Sequence, residues 1–253
     1  MLELREPRYL KVKDHLVETI DKLSPGVSIP PERDLAVSCQ TSRTTVRKAV
    51  TELVAEGRLV RRHGAGTFVA EPKMTWPLMV SGFTEQATSD GHRVQTTLLS
   101  TERTPATPEL ATRLGVRRGS QVLALELLRT VNGTPMALER VHVSARRFPG
   151  LAAAMARSGS LYEVLLDKFG VSVAHAMETI ETAPAAPREA ALLETETGAP
   201  MLLVSQHSHT ADGEPVEWVR SWYRGDRYQF VAHISRPTAD TAALAANVPA
   251  TRR

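Results

Sequence analysis

The sequence predicts an α+β protein in which helices open the chain and an antiparallel sheet follows. Three observations carry that prediction. Apolar residues recur every three or four positions as far as about residue 56. Farther on, Asn132-Gly133 and Asp212-Gly213 each separate two apolar-rich runs, the pattern of antiparallel hairpins. The basic excess is confined to the front: residues 1–70 hold 12 Lys/Arg against 9 Asp/Glu, whereas residues 71–253 hold 19 of each. A basic, helical front joined to a neutral remainder points to a nucleic-acid module attached to something else.

The bulk composition sets outer bounds. A chain of 253 residues, 42% hydrophobic and 23% charged, is folded and has room for one large or two ordinary domains. Its single cysteine, Cys39, excludes a disulfide framework and a cysteine-rich zinc site, and reads as a partly buried helix thiol. No stretch approaches the roughly 18 consecutive apolar residues of a membrane helix. The opening MLELREPRYLKVK lacks the apolar core of a secretory signal, so a cytoplasmic protein without membrane contact is expected.

The front divides into five elements. Leu10, Val12, Leu16, Val17, Ile20 and Leu23 give one face of a helix over Tyr9 to Leu23, stopped by Ser24-Pro25-Gly26. Pro31 suits the first turn of a second, short helix ending near Gln40, with Glu32 and Asp34 at its positive end. Thr41-Ser42 offers an N-cap for a third helix, Arg43 to Glu56, and Gly57 is a good stop. Strands at 58–62 and 66–70 then flank the turn His63-Gly64-Ala65-Gly66. Helix, short helix, turn, helix and hairpin make a winged helix-turn-helix over residues 1–70. The third helix carries Arg43, Thr44, Thr45, Arg47 and Lys48 in its first two turns, where they reach base edges and phosphates if its N-terminus enters the major groove. Residues 43–62 alone have six Lys/Arg and two Glu. A basic helix face by itself is as often merely solvated. The turn and wing in the right order are what point to DNA.

The segment 71–79, with two prolines and no amphipathic period, reads as a linker on which Trp76 can still pack. Beyond it, residues 80–237 form the sheet domain. One hairpin spans Val122 to Val143 and another Met201 to Tyr223. Short helices are expected over 110–114, 151–156, 161–169 and 187–193. The Gly-x-Pro steps at Gly133 and Gly213 hint at an internal duplication. Residues 238–253, rich in Ala and Thr, read as a disordered tail. His207-x-His209 puts two imidazoles on one face of a strand, but no third ligand is evident and no metal or other cofactor is expected.

Two resemblances sharpen this. Tyr9-Leu10-Lys11-Val12, Ile29-Pro30-Pro31-Glu32-Arg33-Asp34-Leu35-Ala36, Thr41-Ser42-Arg43-Thr44-Thr45-Val46-Arg47-Lys48-Ala49 and Gly64-Ala65-Gly66-Thr67-Phe68-Val69 resemble the DNA-binding domain of GntR-type bacterial repressors. The resemblance implies operator contacts from Arg33, Arg43 and Arg47, with further ones from Thr44, Thr45, His63 and Gly64. The later residues Phe83-Thr84-Glu85, Asn132 to Glu139, Gly159-Ser160-Leu161-Tyr162, Glu178-Thr179-Ile180 and Glu214-Pro215-Val216-Glu217 resemble the UTRA effector domain of the HutC subfamily, related in fold to chorismate lyase. Within that subfamily the likeness is nearest to repressors that sense amino-sugar phosphates. It implies a phosphate held by Phe83, Thr84, Arg129, Ser160 and Tyr162, and sugar hydroxyls met by Glu139, Glu217 and Tyr223. Leu127 stands where those sensors carry a second arginine, which weakens phosphate binding or signals a different effector; Arg140 and Arg220 are the candidates to compensate.

On structural grounds alone, Ser160 is an N-cap with Glu163 in capping-box position, Arg129 and Glu139 are a cross-strand surface pair, and Arg224, Asp226 and Arg227 form a salt-bridged corner. The combined expectation is a homodimeric repressor on a palindromic operator, controlled by a phosphosugar such as glucosamine 6-phosphate or N-acetylglucosamine 6-phosphate. The alternatives are the same class sensing another small molecule, a DNA binder without an effector, and an enzyme, for which no nucleophile-and-base set is evident.

Overall fold

A computed structural model describes residues 7–62 and 64–234; His63 and the segment 238–253 read above as a tail lie outside the described residues. The fold is α+β. Helices α1 (Arg8–Ile20), α2 (Glu32–Ser38) and α3 (Arg43–Ala55) precede the hairpin of β1 (Leu59–Arg62) and β2 (Gly66–Val69). Ser42 caps α3 by accepting from the Thr45 backbone N–H at 3.1 Å, and Gly57 turns the chain in a left-handed conformation at φ 73°. α1 ends three residues earlier than its apolar period suggests, because Leu23 packs from the turn after it. Val12, Leu16, Val46, Val50 and Leu53 build a core without a single aromatic side chain.

The second region does not begin with a loose connection. Residues 74–77 of the expected linker form β3 (Met74–Pro77), which runs parallel to β10 (Tyr228–Val231) and buries Trp76. Four residues between two proline-containing stretches carry no period, and the partner strand lies some 150 positions away, so nothing local announces the pairing. After it come α4 (Phe83–Ser89), β4 (Val94–Pro105), α5 (Pro108–Arg113), β5 (Gln121–Val131), β6 (Thr134–Ser144), α6 (Leu151–Ser158), α7 (Leu161–Phe169), β7 (His175–Pro184), α8 (Pro187–Leu192), β8 (Pro200–His209) and β9 (Pro215–Arg224). Both expected hairpins, β5/β6 and β8/β9, are present, and β6 and β9 meet at the middle of a six-stranded antiparallel sheet, order β4-β5-β6-β9-β8-β7.

That order reads as two copies of one unit, strand, short helix, hairpin, facing each other across β6 and β9. The repeat extends beyond the Gly-x-Pro steps. Pro108 and Pro187 each open the short helix, Ala111 and Ala190 are its buried alanines, and Leu114 and Leu193 close it. Ala106 donates to the Ser120 carbonyl as Ala185 does to that of Ala199, and Gly119 and Gly198 donate back to Ala106 and Ala185. One sheet face packs on α6 and α7 through Leu125, Leu127, Val141, Phe148 and Leu165. The cavity described next opens at one end of that layer, between the sheet, α4 and the start of α7.

Candidate functional site

The winged helix presents its cations outward. Val46, Ala49, Val50 and Leu53 turn one face of α3 into the core, which leaves Arg43, Thr44 and Arg47 exposed together on the other. Arg47 donates to Glu32 at 3.0 Å with 68% of its side chain exposed, and Arg33 pairs with Asp34 at 3.0 Å at 70% exposure; neither contact is costly to trade for a phosphate. Thr45 differs from the other candidates. Its backbone N–H and its hydroxyl, 2.8 Å from Ser42 Oγ, serve the N-cap. Lys48 lies over the Tyr9 ring at 3.6 Å, and Gly64 is exposed at the wing with φ 70°.

The eight residues assigned to an effector, scattered over residues 83–223, all line one cavity. Arg129 and Glu139 form its charged floor. They are a buried pair, 4% and 5% exposed, rather than a surface one. Arg129 Nε and Nη2 reach one Glu139 oxygen at 2.9 and 2.8 Å, and Nη1 donates to Thr96 Oγ1 at 2.7 Å and to the Gly159 carbonyl at 2.8 Å. Two helix starts form a second wall: Gly82, Phe83 and Thr84 of α4, and Ser160, Leu161 and Tyr162 of α7. Ser160 caps α7, accepting from the Glu163 N–H at 3.4 Å; the Glu163 carboxylate turns to Ser158 Oγ instead of completing a capping box.

A hydrogen-bonded relay forms the third wall. Gln206 Nε2 donates to Tyr162 Oη at 2.7 Å and lies 2.8 Å from Ser208 Oγ, and Ser208 donates to Glu217 Oε1 at 3.0 Å. Glu217 Oε2 has no partner, although the residue is only 1% exposed. Burial pushes the Glu217 carboxyl up to about 7, against the pull of the Tyr162 and Ser208 hydroxyls. Burial likewise raises Glu178 and holds the Tyr162 and Tyr223 phenols well above their usual range, so both phenols stay protonated at neutral pH. The last wall is aromatic: Trp76 stacks on Phe83 at 5.0 Å and on Tyr228 at 5.1 Å, and Tyr223 lies 4.5 Å from Tyr228 and 5.6 Å from Phe230. The free space enclosed is about 70 Å³.

Trp76, Glu178, Gln206, Ser221, Tyr228 and Phe230 line the cavity without having been singled out as site residues. For the strands a signal existed. Glu217, Val219, Ser221 and Tyr223 alternate onto one face of β9, and polar residues recurring on an apolar face mark a lined cavity. The same alternation removes two expected compensators. Arg140 pairs with Glu126 at 3.3 Å and Arg220 lies over Trp222, both on the opposite sheet face, so neither reaches the cavity. Leu127 shares a face with Arg129 but is sealed in the core. Arg224 and Asp226 form the expected corner at 3.0 and 2.6 Å, with Arg227 3.7 Å from Asp226. The His207 and His209 rings lie 4.2 Å apart, and among the described residues no three His, Cys, Asp or Glu gather to hold a metal ion.

The two regions touch at that corner. A Cβ at Gly57 would fall 1.9 Å from the Asp226 carbonyl oxygen, and Lys73 donates to the Gly225 carbonyl at 2.6 Å. A basic winged helix docked on a domain with a polar, aromatic-walled cavity defines a ligand-responsive DNA-binding regulator. The chain belongs to the GntR family of bacterial regulatory proteins, in its HutC-type branch: residues 8–69 match the gntR-family DNA-binding domain and residues 89–229 the UTRA domain. It is 37% identical to the transcriptional repressor PhnF of Mycolicibacterium smegmatis over 89% of this chain and 93% of that one. It is 34% identical to the repressor NagR of Bacillus subtilis over 91% and 96%. The crystal structure of PhnF superposes with a TM-score of 0.64 over 89% of this chain and all of the other. Such proteins bind operator DNA with the first domain and a small effector with the second. This chain is a regulator of transcription, not an enzyme. No helix among the described residues is long and apolar enough to cross a membrane.

Proposed function

We propose that the protein is a cytoplasmic, homodimeric repressor that binds a palindromic operator through Arg33, Arg43, Thr44 and Arg47, with the wing at His63 and Gly64, and that an amino-sugar phosphate in the UTRA cavity sets its hold on DNA. The observation that carries this is the convergence of Phe83, Thr84, Arg129, Glu139, Ser160, Tyr162, Glu217 and Tyr223 on one cavity. The hydroxyls of Thr84 and Ser160 and the backbone at the start of α7 suit a phosphate, and the carboxylates of Glu139 and Glu217 suit hydroxyl or amine donors. The likeness to NagR favours the same class. A single arginine, already paired, favours a second reading in which the same regulator senses a ligand without phosphate.

The cavity suggests how binding acts at a distance. About 70 Å³ is well short of the roughly 300–1,000 Å³ of ligand-filled pockets, so a sugar parts the wall of Trp76 and Phe83 from the sheet. Trp76 sits on β3, seven residues after the wing strand ends at Val69, and β3 pairs with β10 beside the corner that touches Gly57. Moving that wall changes how the winged helix is seated, which is the difference between states that linkage requires.

Selection of random DNA duplexes by the purified chain should enrich a palindrome of two half-sites. Fluorescence anisotropy on that duplex should then show release by glucosamine 6-phosphate or N-acetylglucosamine 6-phosphate. Enrichment of a single, asymmetric site would overturn the dimer reading, and unchanged anisotropy at millimolar sugar phosphate the effector reading.

A further inference from the structure

We propose that Glu32 and Asp34, two carboxylates on α2, are positioning residues that set base specificity: they hold Arg47 and Arg33 so that each guanidinium offers its two terminal nitrogens to a guanine. This rests on the reading of Arg33 and Arg47 as operator contacts and adds the residues that act through them.

Both arginines are held by the same atom. Arg47 Nε donates to Glu32 Oε2 and Arg33 Nε donates to Asp34 Oδ1, each at 3.0 Å. In neither does Nη1 or Nη2 make a hydrogen bond among the described residues. A guanine in the major groove presents O6 and N7 side by side, and the pair of Nη groups is the edge that spans them. A grip on Nε therefore leaves the reading edge free while limiting how the guanidinium turns. Arg129 shows the contrast, since all three of its nitrogens are bonded within the fold.

The carboxylates stand where they weaken contact with DNA in general. Negative charge beside a duplex repels the phosphates of every sequence equally. The other ion pairs of this domain join Glu52 and Glu56 to Lys13 and Asp21 to Arg58, cations not assigned to the operator. Among the described residues, Glu32 and Asp34 are the carboxylates that pair with operator arginines. Their charge opposes a phosphate contact, whereas the held fork favours guanine, and specificity is the difference between the two. Glu32 also reaches the wing. Its second oxygen lies 3.8 Å from Arg61 Nη2 on β1, and that nitrogen donates to Thr51 Oγ1 of α3 at 2.9 Å. One carboxylate thus gives α2, α3 and the wing strand a common reference on the side that carries Arg47. Both arginines are exposed, so each pair biases its arginine by no more than about fivefold. A dimer carries each pair twice, which multiplies the bias.

The test is selection of duplexes from a random library by the full chain and its variants, followed by fluorescence anisotropy across a salt series. The probes are the selected duplex and a scrambled duplex of the same length. Glu32→Ala should relax the preference at one guanine position of each half-site, and Asp34→Ala at a different one. Each should lower the ratio of selected to scrambled affinity by about tenfold in the dimer. Each should also steepen the salt dependence by about one counterion per freed arginine. Glu32→Gln keeps an oxygen for Nε and loses the charge, so it should retain the base preference and still steepen the salt dependence. Circular dichroism verifies folding, and Asp34→Ala carries the same test if Glu32→Ala does not fold. Equal weakening on both duplexes with no relaxed position would reduce the carboxylates to supports of α2 and overturn the proposal. An unchanged ratio would overturn it as well. Unaltered binding of the selected duplex by Arg47→Ala would instead remove the reading beneath it.

Discussion

In the winged helix the core is entirely aliphatic, and the cations assigned to DNA, Arg33 and Arg47 among them, stand about two-thirds exposed. In the sheet domain Arg129, Glu139 and Glu217 are at most 5% exposed, and aromatic rings rather than leucines wall the site. The difference follows from the ligands. A duplex is larger than the module that reads it, so the module need only hold flexible cations above a stable platform, and counterion release supplies affinity. A small molecule has to be surrounded, so the groups that recognise it must be buried before it arrives, at a desolvation cost borne by the free protein. One region separates stability from binding; the other combines them.

Mutation should expose that contrast, the largest effect first. Glu139→Ala leaves Arg129 buried without its carboxylate, and should lower unfolding free energy by about 3–5 kcal/mol in urea denaturation while abolishing the effector response. Replacing both residues, Arg129→Met with Glu139→Leu, should restore most of the stability and none of the response. An equally stable Glu139→Ala protein would mean that the pair is solvated.

Glu217 carries the next effect. Its folded carboxyl sits at about 7 against 4.5 for the ordinary group. Between those values the folded state holds the proton that the unfolded state has lost. Stability therefore falls as pH rises through that window and is level above it. Glu217→Gln should flatten the slope and raise stability at pH 8 by an amount on the order of 2 kcal/mol, read as melting temperature against pH. An unchanged slope would assign the titration elsewhere.

Arg43→Ala or Arg47→Ala should do the reverse of Glu139→Ala. Each should weaken operator binding by about 1–3 kcal/mol, enough to abolish retardation in a gel shift, with melting temperature nearly unchanged. Wild-type affinity in both variants would remove α3 as the reading helix.

The smallest effect falls where the regions meet. Gly57→Ala should cost the winged helix about 1–2 kcal/mol through its unfavourable φ of 73°, and the clash with the Asp226 carbonyl is relieved by shifting the corner away. Its more telling consequence is a weaker link between effector and operator, measured as the shift in operator affinity at saturating effector. Full coupling in that variant would show that the corner at Asp226 transmits nothing.

How much of this was legible varies by region for the same reason. The helices and wing of residues 8–69 were readable because each rests on nearby residues: a 3.6-residue period, a Ser42 cap, a Gly57 stop. The two central hairpins were readable from their turns. The strands β4 and β7 were not, because they are the sheet's edges and carry Thr, Ser and Glu along largely exposed lengths, with no apolar alternation to count. The individual site residues came from resemblance, and the sequence by itself left Arg129 and Glu139 as a surface pair and Ser160 as a cap.

The sequence by itself thus determined the class of each domain, the third helix with its exposed arginines and the two hairpins, since all of these depend on spacings within a dozen or so residues. Only the tertiary structure decided that residues 74–77 are a strand rather than a linker, that Arg140 and Arg220 turn away from the cavity, and that Glu217 keeps an unpartnered oxygen there. Those outcomes depend on which face of a strand a residue occupies and on contacts between segments as far apart as Trp76 and Phe230. Desolvation and pairing there are properties of the assembled fold and have no local period to reveal them.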